Sequence, residues 1–300
     1  MPRSKPQGSN ILLVIDSGTL CHAAKHRMGG LSFDEMQTGI IFGFLNSLLS
    51  IQKRFNALAI VFTWDSRKSK REKIYAGYKE KRKKKADKSD EDIILDNIAY
   101  PQFSTLRRKV LPEMGFKNNF ICTGLEADDI MAKIAFDDSF LFCPECDTVV
   151  VTRDNDMLQI ISERVSLYDP QTKKLKTLKW FRDKYGIEPS QWAEVKAIGG
   201  CSTDEVPGVK GVAEGYAIQY IKGTLSEKGV LYKRIVSRPK LIARNRQLVK
   251  LPFVGTTIPD IQTGVGINFF NFDIICQKYG FLSFLKAKRY KEWYDAFGAI

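Results

Sequence analysis

The chain has 300 residues, which is enough for one large domain or two modest ones. Hydrophobic residues make up 44% of the sequence, so the chain can bury a core, and no apolar run reaches the ~18 residues of a membrane helix. Lys and Arg outnumber Asp and Glu by 47 to 34, and the resulting charge of +13 predicts a polyanionic partner, best matched by nucleic acid.

The chain opens with a basic tail, residues 1–10, that lacks the apolar segment of a secretory signal. We therefore expect a cytoplasmic protein with no membrane partner, located in the host cytoplasm if a phage encodes it. The 6 cysteines are too sparse for a disulfide scaffold and are expected to be free thiols. The 2 histidines, His22 and His26, are interpreted as surface or packing residues, so carboxylates are expected to carry any chemistry.

Apolar, β-branched runs at 11–15, 58–64 and 149–152 predict buried strands. Ser32 and Glu35 match a capping box before apolar residues at helical spacing over 40–49, which predicts a helix between the first two strands. A second helix is predicted to begin at 125–129. The first half is therefore predicted to be α/β, whereas the part after Tyr185 shows helical patterns broken by glycines and no further clear strand.

Acidic residues follow each predicted strand and open the second helix. They are Asp16, Asp65, Glu126, Asp128, Asp129, Asp154 and Asp156. Any one of them has an ordinary explanation as a turn residue or a helix N-terminal acid. Because parallel strands end at one edge of a sheet, however, the set predicts one acidic cleft that needs divalent cations, and all-oxygen ligands suit Mg²⁺ or Mn²⁺. Two such ions would suit phosphodiester hydrolysis.

Four motifs and one longer stretch carry a family resemblance. They are VIDSG around Asp16, FTWDSRKSKREKIYAGYKEKR over 62–82, GLEADDIMA over 124–132, VTRDNDMLQI over 151–160 and KYGIEPSQWAEVKAIGGCSTDEVPGVK over 184–210. In this order the chain resembles the 5′ nucleases, which are flap endonucleases and the 5′-3′ exonucleases of phages and bacterial DNA polymerases. The resemblance covers about residues 10–220.

The resemblance implies a PIN-like α/β core over 11–180, with a mostly parallel sheet flanked by helices and a helical arch at about 67–100. It also implies a helical DNA-binding region over 181–300, with a helix-hairpin-helix-like turn at 208–215. The implied activity is Mg²⁺-dependent cleavage of DNA near 5′ ends, flaps and branches in replication and repair, with two Mg²⁺ ions that Mn²⁺ can replace. RNA primers in RNA-DNA hybrids and a monomeric state are further expectations.

The resemblance also implies residue roles. The first metal cluster is Asp16, Asp65, Glu126 and Asp128, with Asp129 between clusters, and the second is Asp154 and Asp156 with Asp204 in a following acidic loop. The predicted catalytic residues are Lys79, Arg71, Asp128 and Asp154. The predicted DNA-binding residues are Tyr78, Lys79, Lys81, Arg82, Lys83, Lys196, Gly208, Lys210, Gly211 and Gly215. From composition alone the run at 79–85 is equally well explained as a solvated surface.

Two positions depart from the family pattern. Cys201 replaces the first aspartate of the acidic loop, and because a thiol is a poor Mg²⁺ ligand, the second ion is expected to bind weakly or through water and Asp204. Ala213 replaces a glycine of the turn, which is expected to weaken a K⁺ site there. A PIN-like nuclease that cleaves RNA and a catalytically weakened protein that binds branched DNA remain open as alternatives.

Overall fold

The central feature of the computed structural model, which describes residues 10–80, 89–136 and 146–298, is a six-stranded sheet. The strands of the chain are β1 Ile11–Asp16, β2 Ser32–Phe33, β3 Met36–Gln37, β4 Ala59–Trp64, β5 Asn119–Ile121, β6 Asp147–Val151, β7 Val165–Asp169, β8 Lys174–Lys176, β9 Gly200–Cys201 and β10 Val206–Pro207. The large sheet has the order β5-β4-β1-β6-β7-β8 and is parallel except for β8. The predicted mostly parallel α/β core is confirmed.

Helices cover both faces of this sheet. They are α1 Ser17–Met28, α2 Gly39–Phe55, α3 Asp90–Thr105, α4 Leu111–Met114, α5 Ala127–Phe136, α6 Leu178–Tyr185, α7 Trp192–Gly199, α8 Glu214–Ile221, α9 Val230–Val236, α10 Pro239–Val249, α11 Phe269–Lys278 and α12 Ala287–Phe297. A π-helical segment, Leu106–Val110, joins α3 to α4, and short 3₁₀ helices occupy Lys70–Lys73, Asp156–Ile160 and Pro189–Gln191. Within the described ranges, no helix is long and apolar enough to cross a membrane.

The strand order places a crevice at the middle of the sheet. The chain adds β4 and β5 on one side of β1, and then returns to add β6 and β7 on the other side. Ligand sites in open α/β sheets form where the order reverses, outside the carboxyl ends of the strands. The residues that follow β1 and β6 are therefore the ones that the topology brings to such a site.

Alternate residues of β1 enter two hydrophobic clusters on opposite faces of the sheet. Leu13 packs with α2 and with the C-terminal helices, where Trp293 and Phe297 are fully buried. Val14 packs with α5 and with the helices from α6 to α10. The last two helices thus share a core with the first half of the chain, and the domain boundary at 180 stays a prediction.

Several local predictions need correction. Ser32 and Glu35 do not cap a helix, because they lie in the β2–β3 hairpin, where Asp34 and Glu35 have positive φ; the helix starts at Gly39. The expectation of no strand after Tyr185 is wrong, since β9 and β10 form a two-stranded hairpin.

The thiol prediction also needs correction. Cys21, Cys122, Cys201 and Cys276 are free, but Cys146 is disulfide-bonded, because a low cysteine count excludes a scaffold without excluding a single bridge.

Candidate metal centre and nucleic-acid interface

A cleft of about 500 Å³ lies at the carboxyl ends of β1, β4 and β6. Its lining includes the predicted metal ligands Asp16, Asp65, Asp154 and Asp156, together with Lys196. The structure therefore brings Asp16 and Asp156, which are 140 positions apart in the sequence, into one cleft. The grouping follows from the parallel strands, because Asp16 ends β1, Asp65 follows β4, and Asp154 and Asp156 lie within about five residues of the end of β6.

Asp16 is fixed by hydrogen bonds from α1 and from the residue that follows β6. It caps α1, accepting from the Thr19 amide at 3.0 Å and from the Thr19 hydroxyl at 2.5 Å. The Thr152 hydroxyl, at the end of β6, donates to Asp16 Oδ2 at 3.0 Å. Burial raises the pKa of Asp16, and repulsion from Asp65 adds to the rise despite these hydrogen bonds.

The pKa values of Asp128 and Asp154 are also raised by their surroundings. Burial, with repulsion from Asp154, Asp16 and Asp65, raises the pKa of Asp128 well above its ordinary value. Burial, followed by repulsion from Asp156, raises the pKa of Asp154 to about 6. Asp16, Asp65, Asp128 and Asp154 thus form a set of mutually repelling carboxylates, named here the open acidic group.

A second set contains Asp156, Cys201 and Asp204, named here the mixed group. Their candidate ligand atoms all lie within 4.8 Å of one another, and no other three His, Cys, Asp or Glu donors among the described residues lie this close. Lys196 Nζ lies 2.9 Å from Asp156 Oδ1. Burial, together with Asp156 and Asp204, raises the pKa of the Cys201 thiol to about 12.

Lys79 contacts Glu126 and the mixed group. Its Nζ is 2.8 Å from Glu126 Oε2 and 3.5 Å from Asp204 Oδ1, and its amide donates to the Asp204 carbonyl at 3.0 Å. Burial alone would lower the pKa of Lys79, but Glu126 and Asp204 raise it, so the ammonium stays charged. Its side chain is 20% exposed. Tyr78 is buried, and its hydroxyl donates to Glu126 at 3.0 Å.

Arg71 has a different environment. It is 2% exposed, and its two terminal nitrogens donate to the two carboxylate oxygens of Asp129 at 2.7 Å each. Its Nε donates to the Leu248 carbonyl at 2.7 Å, while Asp129 also accepts from the Phe253 amide at 2.8 Å. This geometry joins the Lys70–Lys73 turn, the start of α5 and the segment after α10, and it favours a structural role for Arg71 and Asp129.

The predicted DNA-binding turn follows β10. Gly208 packs so closely on the Gly199 carbonyl that an added Cβ would lie 2.2 Å from its oxygen, and Gly211 has a φ of +82°. Gly215 has open space around it, and Lys210 is exposed. The turn is thus shaped by backbone requirements at two of its glycines. Lys81, Arg82 and Lys83 lie outside the described residues.

The cleft includes three basic or titratable residues that the sequence did not suggest as site residues. His22, His26 and Arg153 line it. The two histidines follow Asp16 at intervals that keep them on one face of α1, so helical spacing from the capping aspartate was the available signal. Burial lowers the pKa of His22, and Lys25 adds to this effect.

The donor chemistry of the cleft fits divalent cations. The open acidic group offers carboxylate oxygens alone. Burial, and after it mutual repulsion, raises the pKa values of Asp16, Asp128 and Asp154, and a bound cation would offset the repulsion. Carboxylate oxygens suit hard divalent ions.

Comparisons with known proteins show the family to which this chain belongs. Residues 11–186 match the 5′-3′ exonuclease N-terminal resolvase-like domain. A 5′-3′ exonuclease of Bacillus subtilis (strain 168) is 31% identical over 224 residues, covering 71% of this chain and 70% of that protein. A 5′-3′ exonuclease of Buchnera aphidicola subsp. Schizaphis graminum is 28% identical, covering 88% of this chain and 89% of that protein. The chain belongs to the 5′-3′ exonuclease family.

Longer relatives and solved structures extend the comparison. The chain spans 25% of a thermostable DNA polymerase I from Thermus caldophilus, with 29% identity. The T5 5′-exonuclease with bound divalent metal ions (zinc) has a TM-score of 0.69 at 20% identity, covering 81% of this chain and 90% of that one. A T5 flap endonuclease complex with DNA and metal ions has the same TM-score of 0.69 at 21% identity, covering 81% and 89%. These structures share the fold.

Asp129→Asn is expected to lower the free energy of unfolding by about 3–5 kcal/mol, because it leaves the buried Arg71 guanidinium without its ionic partner. Asp183→Asn is the matched control, since Asp183 pairs with Lys179 on the surface, and it is expected to cost under about 1 kcal/mol. Urea unfolding followed by circular dichroism measures both. Equal, small losses would show that the Arg71–Asp129 pair contributes no more than a surface pair.

Metal binding is expected to depend on pH through the open acidic group. Because the folded pKa of Asp154 is raised to about 6, the folded state holds a proton that the unfolded state has lost, so metal-free stability falls as pH rises toward that value. Added Mg²⁺ should therefore raise the melting temperature more at about pH 8 than at about pH 5. The Asp154→Asn variant should lose most of this difference. Equal stabilisation at both pH values would contradict the assignment.

Proposed function

We propose that this chain is a Mg²⁺-dependent 5′ nuclease that hydrolyses DNA phosphodiesters near 5′ ends, flaps and branch points. The observation that carries the proposal is the cleft in which the mutually repelling carboxylates Asp16, Asp65 and Asp154 lie beside Lys196. Family membership and the charge of +13 support a nucleic-acid substrate. A DNA complex is described for the T5 flap endonuclease, which shares the fold.

In this proposal the open acidic group holds one divalent ion, while Asp156 and Asp204 contribute to a second site. Divalent ions bound there would supply activation of a water molecule and stabilisation of the leaving oxygen. Asp16 is oriented for this role by Thr19 and Thr152. Asp65 is held by the Ala127 amide, which donates to its Oδ1 at 2.8 Å. A K⁺ ion at the turn over 208–215 stays a prediction, as does the use of RNA-DNA hybrids.

Of the two cations that the sequence assigned to the scissile phosphate, Lys79 is the better placed. Arg71 donates from all three of its side-chain nitrogen atoms to protein oxygens. Lys79 contacts Glu126 and, in the mixed group, Asp204, and its side chain remains partly exposed. Lys79 would stabilise the negative charge that develops on the phosphate, while Arg71 holds the backbone that positions it.

The proposal is tested with the full chain, a 5′-labelled DNA flap, linear single-stranded DNA and single-stranded RNA, each with Mg²⁺ or with a chelator. Mg²⁺-dependent cuts near the branch of the flap are expected, with slower cutting of RNA. Faster cleavage of RNA would favour the PIN-like RNase alternative. Tight flap binding without cleavage would favour a DNA-binding protein instead.

Asp128→Asn and Asp154→Asn are each expected to abolish cleavage while leaving DNA affinity largely intact, because each removes a charge that belongs to the open acidic group. Cleavage rates at saturating Mg²⁺ and gel-shift affinities in a chelator measure the two effects separately. Asp295→Asn, which alters an exposed carboxylate paired with Lys291, is the control. Near-normal turnover in either test variant would refute the assignment.

Lys79→Ala is expected to lower turnover on flap DNA by about 100-fold or more, with a much smaller change in the dissociation constant, since charge at the reacting phosphate acts mainly in the transition state. Lys73→Ala removes the same charge from an exposed position in the preceding turn and should leave turnover unchanged. Single-turnover rates and binding curves decide the matter. A loss confined to affinity would make Lys79 a binding residue.

A further inference from the structure

The thiol of Cys201 lies inside the mixed group, in contact with polar atoms. Its Sγ donates to Asp156 Oδ2 at 3.2 Å and lies 3.0 Å from the Thr203 hydroxyl oxygen. The residue is 4% exposed. A cysteine that served only as a small apolar side chain would need no carboxylate neighbour, so its polar surroundings call for another explanation.

The backbone around Cys201 holds this position firmly. In the β9–β10 hairpin Cys201 pairs with Val206, and the Asp204 amide donates to the Cys201 carbonyl at 3.3 Å. The buried Asn245 side chain donates to the Ala197 carbonyl at 2.9 Å and to the Pro207 carbonyl at 2.8 Å, which links the end of β10 to α7, the helix that precedes β9. The sulfur is therefore preorganised toward Asp156 before any ion binds.

The carboxylates of the mixed group contact two lysines, a tyrosine and the sulfur. Lys196 contacts Asp156 Oδ1, whereas Cys201 contacts Oδ2 of the same carboxylate. Lys79 contacts Asp204 Oδ1, and the Tyr78 hydroxyl donates to Asp204 Oδ2 at 3.3 Å. These contacts orient both carboxylates, as hydrogen-bond partners of metal ligands commonly do.

We propose that the mixed group, Asp156, Cys201 and Asp204, binds a thiophilic divalent cation such as Zn²⁺ or Cd²⁺ through the Cys201 sulfur in preference to Mg²⁺. One sulfur and two carboxylate ligands match the donors that Zn²⁺ accepts, whereas Mg²⁺ selects oxygen. Coordination forms a metal–sulfur bond and releases the thiol proton to solvent. Binding of the ion does not depend on the proposed nuclease function. Only the expectation that this second ion takes part in cleavage rests on it.

The test uses the full chain, stripped of metal and free of DNA, and titrates it with Cd²⁺ while recording the ultraviolet sulfur-to-metal charge-transfer band. One equivalent of Cd²⁺ per chain should produce the band, and a 100-fold excess of Mg²⁺ should leave it in place. The band should be absent in Cys201→Ser and in Cys201→Asp. It should persist in Cys122→Ser, the matched control, which removes a more exposed free thiol.

A band that persists in Cys201→Ser, or that equimolar Mg²⁺ removes from the unsubstituted chain, would overturn the proposal. Melting curves show whether each variant folds. If Cys201→Ser does not fold, Asp204→Asn is used to test the proposal. This variant keeps the thiol and should weaken Cd²⁺ binding at least tenfold. An unchanged Cd²⁺ affinity in Asp204→Asn would overturn the proposal. Flap cleavage is measured on the same samples, and its absence with every metal would refute the nuclease proposal while leaving the thiol assignment intact.

Discussion

Repulsion among carboxylates at the carboxyl ends of parallel strands is the main physical constraint on this site. The acidic residues of the site accommodate this repulsion in two ways. Glu126, Asp129 and Asp156 are paired with Lys79, Arg71 and Lys196, which come from distant segments. Asp16, Asp128 and Asp154 instead have raised pKa values. A divalent cation would gain the most electrostatic energy where negative charge is least compensated by basic residues. The pairing of Glu126, Asp129 and Asp156 with basic residues therefore favours the open acidic group as the cation site.

The same division explains why two neighbouring basic residues have different roles. Arg71 lies in the Lys70–Lys73 turn, and its planar guanidinium matches both oxygens of Asp129, which fixes the turn against α5 and the segment after α10. Lys79 lies near the end of the described segment 10–80 and has a flexible side chain between Glu126 and Asp204. In the proposed function, the rigid Arg71 link would hold the turn while the Lys79 ammonium adjusts to a phosphate.

The sequence predicted the features that depend on strand ends and failed where burial decides. Runs of β-branched residues located β1, β4 and β6, and the aspartates after them located the cleft. The local pattern at Ser32 and Glu35 predicted a helix cap, but these residues form a tight β-hairpin instead. Nothing in the spacing of Arg71 and Asp129 reveals that both are buried, since their contact joins residues 58 positions apart. The resemblance likewise assigned them to phosphate and metal without information on solvent access.

The substitution at position 201 changes the charge balance of the second site. With a protonated thiol, Lys196 faces Asp156 and Lys79 is shared between Asp204 and Glu126, so part of the negative charge of the mixed group is compensated without an ion. An aspartate at this position would add a permanent negative charge and favour any divalent cation. The thiol adds that charge only when an ion displaces its proton, which thiophilic metals do far more readily than Mg²⁺. The cysteine thereby makes occupancy of the second site depend on the identity of the metal, while the first site depends mainly on its charge.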